Sequence, residues 1–162
     1  MDLIRASLVL WRHAEAEDEA SSDMARDLTA RGRQQAHKMA QWFGGQIDHQ
    51  WSEWVVLVSP ANRAQQTAAA LAQPFQTIDM IAPDASADAV MAAAAWPYGV
   101  AGRSKVLVVG HQPTLGMVAA RLIDGADGHV SVKKGAMWWF ETRERGGSQR
   151  TVLRAMVTPE TV

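Results

Sequence analysis

The sequence contains no cysteine, which excludes disulfides and thiol chemistry. It has no apolar run approaching the ~20 residues that would span a membrane. Its first apolar run stops at Arg12, so no signal peptide is expected. A dominant sign of charge is missing too: 16 basic and 17 acidic residues give a net charge of −1, leaving no global basic field to draw nucleic acid. Neither nucleic acid nor membrane is expected as a partner. There is no internal repeat, low-complexity tract or linker. What is there reads as globular: 162 residues, 48% hydrophobic and 20% charged. One domain spanning 1–162, with a substantial buried core, is the expectation. The expected compartment is the cytoplasm.

The most informative stretch is Leu8-Val9-Leu10-Trp11-Arg12-His13-Ala14-Glu15-Ala16. Four apolar residues suffice for a buried strand of a parallel sheet. They stop at a guanidinium and an imidazole, which a core would not accept. In open α/β sheets chemistry gathers at the carboxyl ends of strands. This pair suits a phosphate, since arginine grips two oxygens and histidine can attack phosphorus.

The acidic stretch Glu15 to Asp27 reads as a surface loop. Thr29 then caps a helix whose apolar positions are Ala36, Met39, Ala40 and Phe43, with Gly44-Gly45 at its end. His37 on this helix reads as an ordinary surface residue. A second strand, Val55 to Val58, runs into Ser59-Pro60 and a helix with the small-residue face Ala64, Thr67, Ala68 and Leu71. Arg63 lies in the first turn of that helix, where a cation opposes the helix dipole. Either solvent or an anion must compensate it, and the free N–H groups there favour an anion. Thr77 to Ile81 reads as a short strand and Ala87 to Ala95 as a helix, ended by Trp96 to Gly99. The strand Val106 to Val109 closes on Gly110-His111. Pro113 suits the first turn of the next helix, whose apolar face is Leu115, Val118, Ala119, Leu122 and Ile123. Ala136 to Thr142 and Thr151 to Val157 form a hairpin around Gly146-Gly147. Alternation places Met137 and Trp139 on one face and Trp138 and Phe140 on the other, so these tryptophans pack rather than stack on a ligand.

Three strands therefore end in Arg12-His13, in Ser59 to Arg63, and in Gly110-His111. On one rim of a βαβ sheet they would form a pocket of two guanidiniums and two imidazoles, with no obvious carboxylate partner. Such a pocket is an anion site, best suited to a phosphoryl group.

These residues resemble the histidine phosphatase superfamily, also called phosphoglycerate mutase-like or Arg-His-Gly. The resemblance rests on Leu10 to Ala14, Arg26-Asp27-Leu28-Thr29 to Gly32, Val58-Ser59-Pro60 through Arg63-Ala64 to Gln66-Thr67, and Val109-Gly110-His111. It runs over nearly the whole chain, and the compact length is most similar to the SixA-type phosphohistidine phosphatases. The resemblance implies a three-layer α/β/α sandwich on a mixed, mostly parallel six-stranded sheet with one antiparallel strand. It implies that His13 is a nucleophile that becomes phosphorylated, and that Arg12, Arg63 and His111 hold the phosphoryl oxygens and the transition state. Arg26 matches a position near the phosphate pocket. Ala14 stands where the family name has glycine; relatives of this type often have alanine, so the resemblance implies a site that still works. No cofactor and no metal are implied; the partner is a phosphate-bearing substrate, including a phosphohistidine on another protein.

Histidine must be neutral to attack phosphorus, and two nearby arginines disfavour imidazolium. The same arginines offset charge on the equatorial oxygens during transfer. No acidic donor is recognisable, with Asp79, Asp84, Asp88, Glu15 and Glu17 as the candidates. A phosphorylated imidazole needs a donor less than an alcohol ester does, and the short segment over the pocket leaves room for a histidine on a protein surface. Three rival readings stand beside this one. A small-molecule phosphomonoesterase acting on a sugar or nucleotide phosphate would use Asp84 or a neighbour as acid. A non-catalytic phosphate-binding module would share the fold. A metal hydrolase would use His13, His111 and the acidic loop, but no His-x-x-x-His helix or similar ligand spacing is present.

Overall fold

The computed structural model describes the chain from Leu3 to Val162. Six strands form one mixed sheet: β1 (Leu3–Arg12), β2 (Trp54–Val58), β3 (Gln76–Thr77), β4 (Lys105–Gly110), β5 (Met137–Arg145) and β6 (Ser148–Val157). Their spatial order is β3-β2-β4-β1-β5-β6. The pairs β1–β4, β2–β4 and β2–β3 are parallel, whereas β5 runs antiparallel to both β1 and β6. β5 is thus the single reversed strand.

Four helices cover the sheet: α1 (Ala30–Gln46), α2 (Asn62–Ala69), α3 (Ala87–Ala94) and α4 (Thr114–Asp124). Strand alternation assigns them to faces. Val9, Trp11, Val56, Val58, Leu107 and Val109 pack with Ala36, Met39 and Phe43 of α1 and Ala64 and Ala68 of α2. Their neighbours Leu8, Leu10, Val55, Leu57, Val106 and Val108 pack with Val90 of α3 and Leu115 and Val118 of α4. Because both faces are covered, the central strands are apolar without a break. The expected split of β5 holds, with Met137 and Trp139 on the α1–α2 side and Phe140 and Trp138 on the other. Trp139 packs edge-on to Trp42 and Trp54, so its work is packing.

Three local expectations differ from the structure. Gly44 and Gly45 do not end α1, which continues to Gln46. Gly44 instead gives room to the returning chain, since a Cβ there would lie 3.3 Å from the His49 ring. Thr77 to Ile81 is not a strand: only Gln76–Thr77 pairs with β2, and Asp79–Ile81 forms a 3-10 turn. Ile123 is exposed rather than part of the core: the buried residues of α4 run from Thr114 to Ala120. The Ala14 methyl is buried in the α1–α2 core. Thr29 does cap α1, accepting from the Gly32 N–H at 2.9 Å.

Candidate functional site

The three strands that end in polar residues are neighbours, in the order β2-β4-β1. Their ends are level, with Arg12 opposite Gly110 and Val58 opposite Val109. The ladder continues one residue further: His13 N–H donates to the Gly110 carbonyl and Ser59 N–H to the Val109 carbonyl, both at 3.1 Å. This register delivers His13 and His111 side by side, with ring centroids 5.2 Å apart. Arg12, His13, Arg63 and His111 line one cavity of about 250 Å3, together with Asp23, Arg26, Pro83, Asp84, Gln112 and Lys134. All five residues expected at the site, Arg26 included, come together.

His13 is buried, and its Nδ1 lies 2.8 Å from the Ala14 carbonyl. A carbonyl only accepts, so Nδ1 carries the proton and Nε2 keeps its lone pair. The imidazolium pKa is pushed down to about 3, first by burial and then by His111, Arg63 and Arg12, against the Ala14 hydrogen bond. The neutral ring expected from the sequence is there, but burial outweighs the arginines as its cause. Ala14 is itself held by its N–H donating to Thr67 Oγ1 at 3.1 Å, while Thr67 Oγ1 donates to the Arg63 carbonyl at 2.7 Å. Thr67, which reads in the sequence as a small helix-face residue, thus ties the loop after β1 to α2.

Burial, followed by the Arg63 charge, brings the pKa of His111 down to about 4. Its Nε2 lies 2.7 Å from Ser59 Oγ. Burial and the neighbouring Arg63 also lower the pKa of Arg12, whose Nη1 donates to the Val132 carbonyl at 2.9 Å. The Nε atoms of Arg12 and Arg63 and Nδ1 of His111 are buried with no hydrogen-bond partner. An unsatisfied buried donor costs about 1–3 kcal/mol. Several around one cavity describe a site completed by an anion's oxygens.

One expectation about the pocket needs correction, for it has a carboxylate partner. Arg63 donates from Nη1 to the Asp23 carbonyl at 2.8 Å and from Nη2 to Asp23 Oδ2 at 3.1 Å. Asp23 Oδ1 also accepts from Arg26 Nη1 at 3.1 Å. Asp23 is thus the anion that the first-turn position of Arg63 demands. The burial cost to its carboxylate is the largest single influence, but the hydrogen bonds and charges of Arg26 and Arg63 together outweigh it, so its pKa lies below the ordinary range. The acidic loop is on the surface as expected, but it folds back because Asn62 N–H takes the Met24 carbonyl and Gln66 takes Asp27. Nothing in the loop's composition separates Asp23 from its exposed acidic neighbours, and Gln112 and Lys134 carried no sequence signal either.

Of the candidate proton donors, Asp84 alone lines the cavity. Asp88 pairs with Arg121, Glu15 accepts from Thr29 Oγ1 at 2.8 Å, and Glu17 uses its carbonyl to hold Arg26 Nε. Among the described residues there is no cluster of three or more His, Asp or Glu side chains that would hold a metal ion. No helix among them is long and apolar enough to cross a membrane.

The Histidine phosphatase superfamily (branch 1) profile matches residues 8–85. The phosphohistidine phosphatase SixA of Escherichia coli K12 is 33% identical over 127 residues, covering 72% of this chain and 73% of that protein. The SixA homolog of Haemophilus influenzae is 30% identical over 131 residues, covering 72% and 76%. This chain belongs to the histidine phosphatase superfamily. Within it the likeness is to the SixA type. The structure of the protein histidine phosphatase SixA complexed with tungstate superposes with a TM-score of 0.76 at 26% identity, covering 94% of this chain and 97% of that one. A phosphoserine phosphatase from Entamoeba histolytica superposes at 0.62 with 17% identity, covering 97% and 99%, which shows a shared fold alone.

Proposed function

We propose that residues 1–162 form a single domain that acts as a protein phosphohistidine phosphatase in the cytoplasm, through a phosphohistidine intermediate on His13. The observation that carries this reading is the state of His13: buried, neutral, with Nδ1 donating to Ala14 and Nε2 free, in a cavity shared with two guanidiniums. The sequence likeness to SixA supports the substrate class.

In this reading His13 Nε2 forms a bond to phosphorus as the P–N bond to the substrate imidazole breaks. The substrate ring keeps the proton on its other nitrogen and leaves neutral. The phosphorylated His13 keeps its own Nδ1 proton on the Ala14 carbonyl, so it is the same kind of leaving group. Water then bonds to phosphorus as the P–Nε2 bond breaks, Nε2 recovers its lone pair, and both water protons leave with the phosphate as dihydrogen phosphate. Neither step needs a donor to the leaving nitrogen. Arg12, Arg63 and His111 hold the equatorial oxygens, and Arg26 adds positive charge at the rim.

Asp84 at the cavity favours a second reading, a phosphomonoesterase with that carboxyl as acid. Rates on a phosphohistidine protein, a phosphoserine peptide and a sugar phosphate separate the two. The phosphohistidine protein should be cleaved fastest, and Asp84→Asn should barely alter that rate. A fall of about 100-fold, the size expected for a lost general acid, together with preferential ester cleavage, would replace the first reading with the second.

A further inference from the structure

Ser59 directly follows β2 and is completely buried beside His111. Its Oγ accepts the Ala61 N–H at 3.2 Å and lies 2.7 Å from Nε2 of His111. Its carbonyl is engaged by Gln65 Nε2 at 2.8 Å and its N–H by Val109. The remaining freedom is the direction of one hydrogen bond, and the two choices leave different debts.

If Nε2 carries the proton and donates to Ser59, the hydroxyl accepts twice and its own hydrogen is left without an acceptor. Nδ1 of His111, buried and without a partner, is then an unused lone pair. That arrangement strands two groups. If instead the Ser59 hydroxyl donates to Nε2, every group of Ser59 is satisfied, and only one orphan remains: an N–H at Nδ1. The second arrangement strands fewer buried groups, and the orphan it leaves is a donor on a ring that lines an anion cavity.

We propose that Ser59 is a positioning residue, whose hydroxyl donates to Nε2 of His111 and holds that ring as the Nδ1–H form, reserving this N–H for a phosphoryl oxygen. The proposal rests on the phosphoryl reading of the cavity and goes beyond it. It makes His111 a neutral hydrogen-bond donor, with its proton retained throughout the transfer. Ser59 touches no substrate; it acts only through the imidazole.

The test is a two-bond 1H–15N correlation spectrum of the 15N-labelled protein at neutral pH, with and without tungstate as the probe. His111 should show a pyrrole-type nitrogen at Nδ1 and a pyridine-type nitrogen at Nε2, and tungstate should shift the Nδ1 signal most. In Ser59→Ala the ring should shift toward the Nε2–H form. Turnover of phosphohistidine should fall roughly 10- to 100-fold, the range for a hydrogen bond to a charged group. A wild-type His111 protonated at Nε2 would overturn the proposal without any variant being needed. So would a Ser59→Ala protein whose tautomer is unaltered. The spectra need no turnover, so a protein with the expected tautomer that fails to cleave phosphohistidine would lose the substrate assignment and keep this one.

Discussion

Two charged clusters lie in different parts of the same sheet, one on β5 and β6 and the other where β1, β2 and β4 end, and they are built differently. In the first, Glu141 of β5 is 1% exposed, yet its oxygens accept from Arg154 at 2.9 Å and from Arg143 at 3.2 Å. Arg154 also lies over the Trp139 ring, 3.9 Å from its centroid. This cluster closes on itself. In the second, Arg12 and Arg63 share a cavity with two neutral imidazoles, and Asp23 is the only carboxylate paired with either guanidinium among the described residues. Several nitrogens there remain without partners. A buried charge that is fully matched contributes to one folded arrangement; a set of donors left unmatched is held for something that arrives later.

The comparison can be broken most sharply at His13. His13→Ala should remain folded but lose about 10⁴-fold or more of turnover, as removal of a nucleophile does. It should also lose an acid-labile, alkali-stable phosphoryl label, trapped in a quench that avoids acid. Substantial turnover by that variant would end the claim for His13. Arg63→Ala should lose about 100- to 1,000-fold, the range for a missing transition-state donor, as read by kcat/KM on the same substrate.

Acid should weaken the fold through the same cluster. Both His13 and His111 have folded pKa values pushed below the ordinary imidazole value, to about 3 and about 4. The unfolded chain therefore binds protons below about pH 6.5 that the folded chain refuses. Their contribution is whole above that pH and drains as pH falls toward the folded values. Between pH 7.5 and 5 each ring should cost about 2 kcal/mol of unfolding free energy. Urea titrations of wild type and His13→Gln would check this, with the variant losing about half the dependence.

The smallest effect on chemistry belongs to the closed cluster. Glu141→Ala should lower stability by about 1–3 kcal/mol, through lost charged hydrogen bonds, while turnover stays within about twofold. A large loss of activity with unchanged stability would mean that the two clusters are not separable in this way.

What was legible in the sequence follows the same division. Apolar runs that end in Arg12-His13, Ser59 to Arg63 and Gly110-His111 are local patterns, and the sheet carries them to one rim because parallel strands share a direction. The faces of β5 and the Thr29 cap are local patterns as well. Asp23 was not legible because its partner Arg63 is forty residues away, and its neighbours in the loop are acids of the same kind. The end of α1 was misread because Gly44 serves the close approach of His49 rather than a helix stop. Thr67 and Ser59 read as a helix-face residue and a strand-end residue. Their hydrogen bonds to Ala14 and His111 exist only once three strands are side by side.

Gly32 has a wider bearing. It sits in the first turn of α1, far in sequence from His13, yet a Cβ built there would lie 1.9 Å from the Glu15 carbonyl oxygen. The same Glu15 carbonyl receives the Thr29 N–H at 3.0 Å. No side chain, not even a methyl, fits between this helix and the backbone two residues beyond His13. The position is therefore closed to sequence drift by shape alone, although it carries no reactive group. Any lineage that fills it must first move the loop that aims His13, so the permitted history of a remote glycine is written by the aim of a histidine.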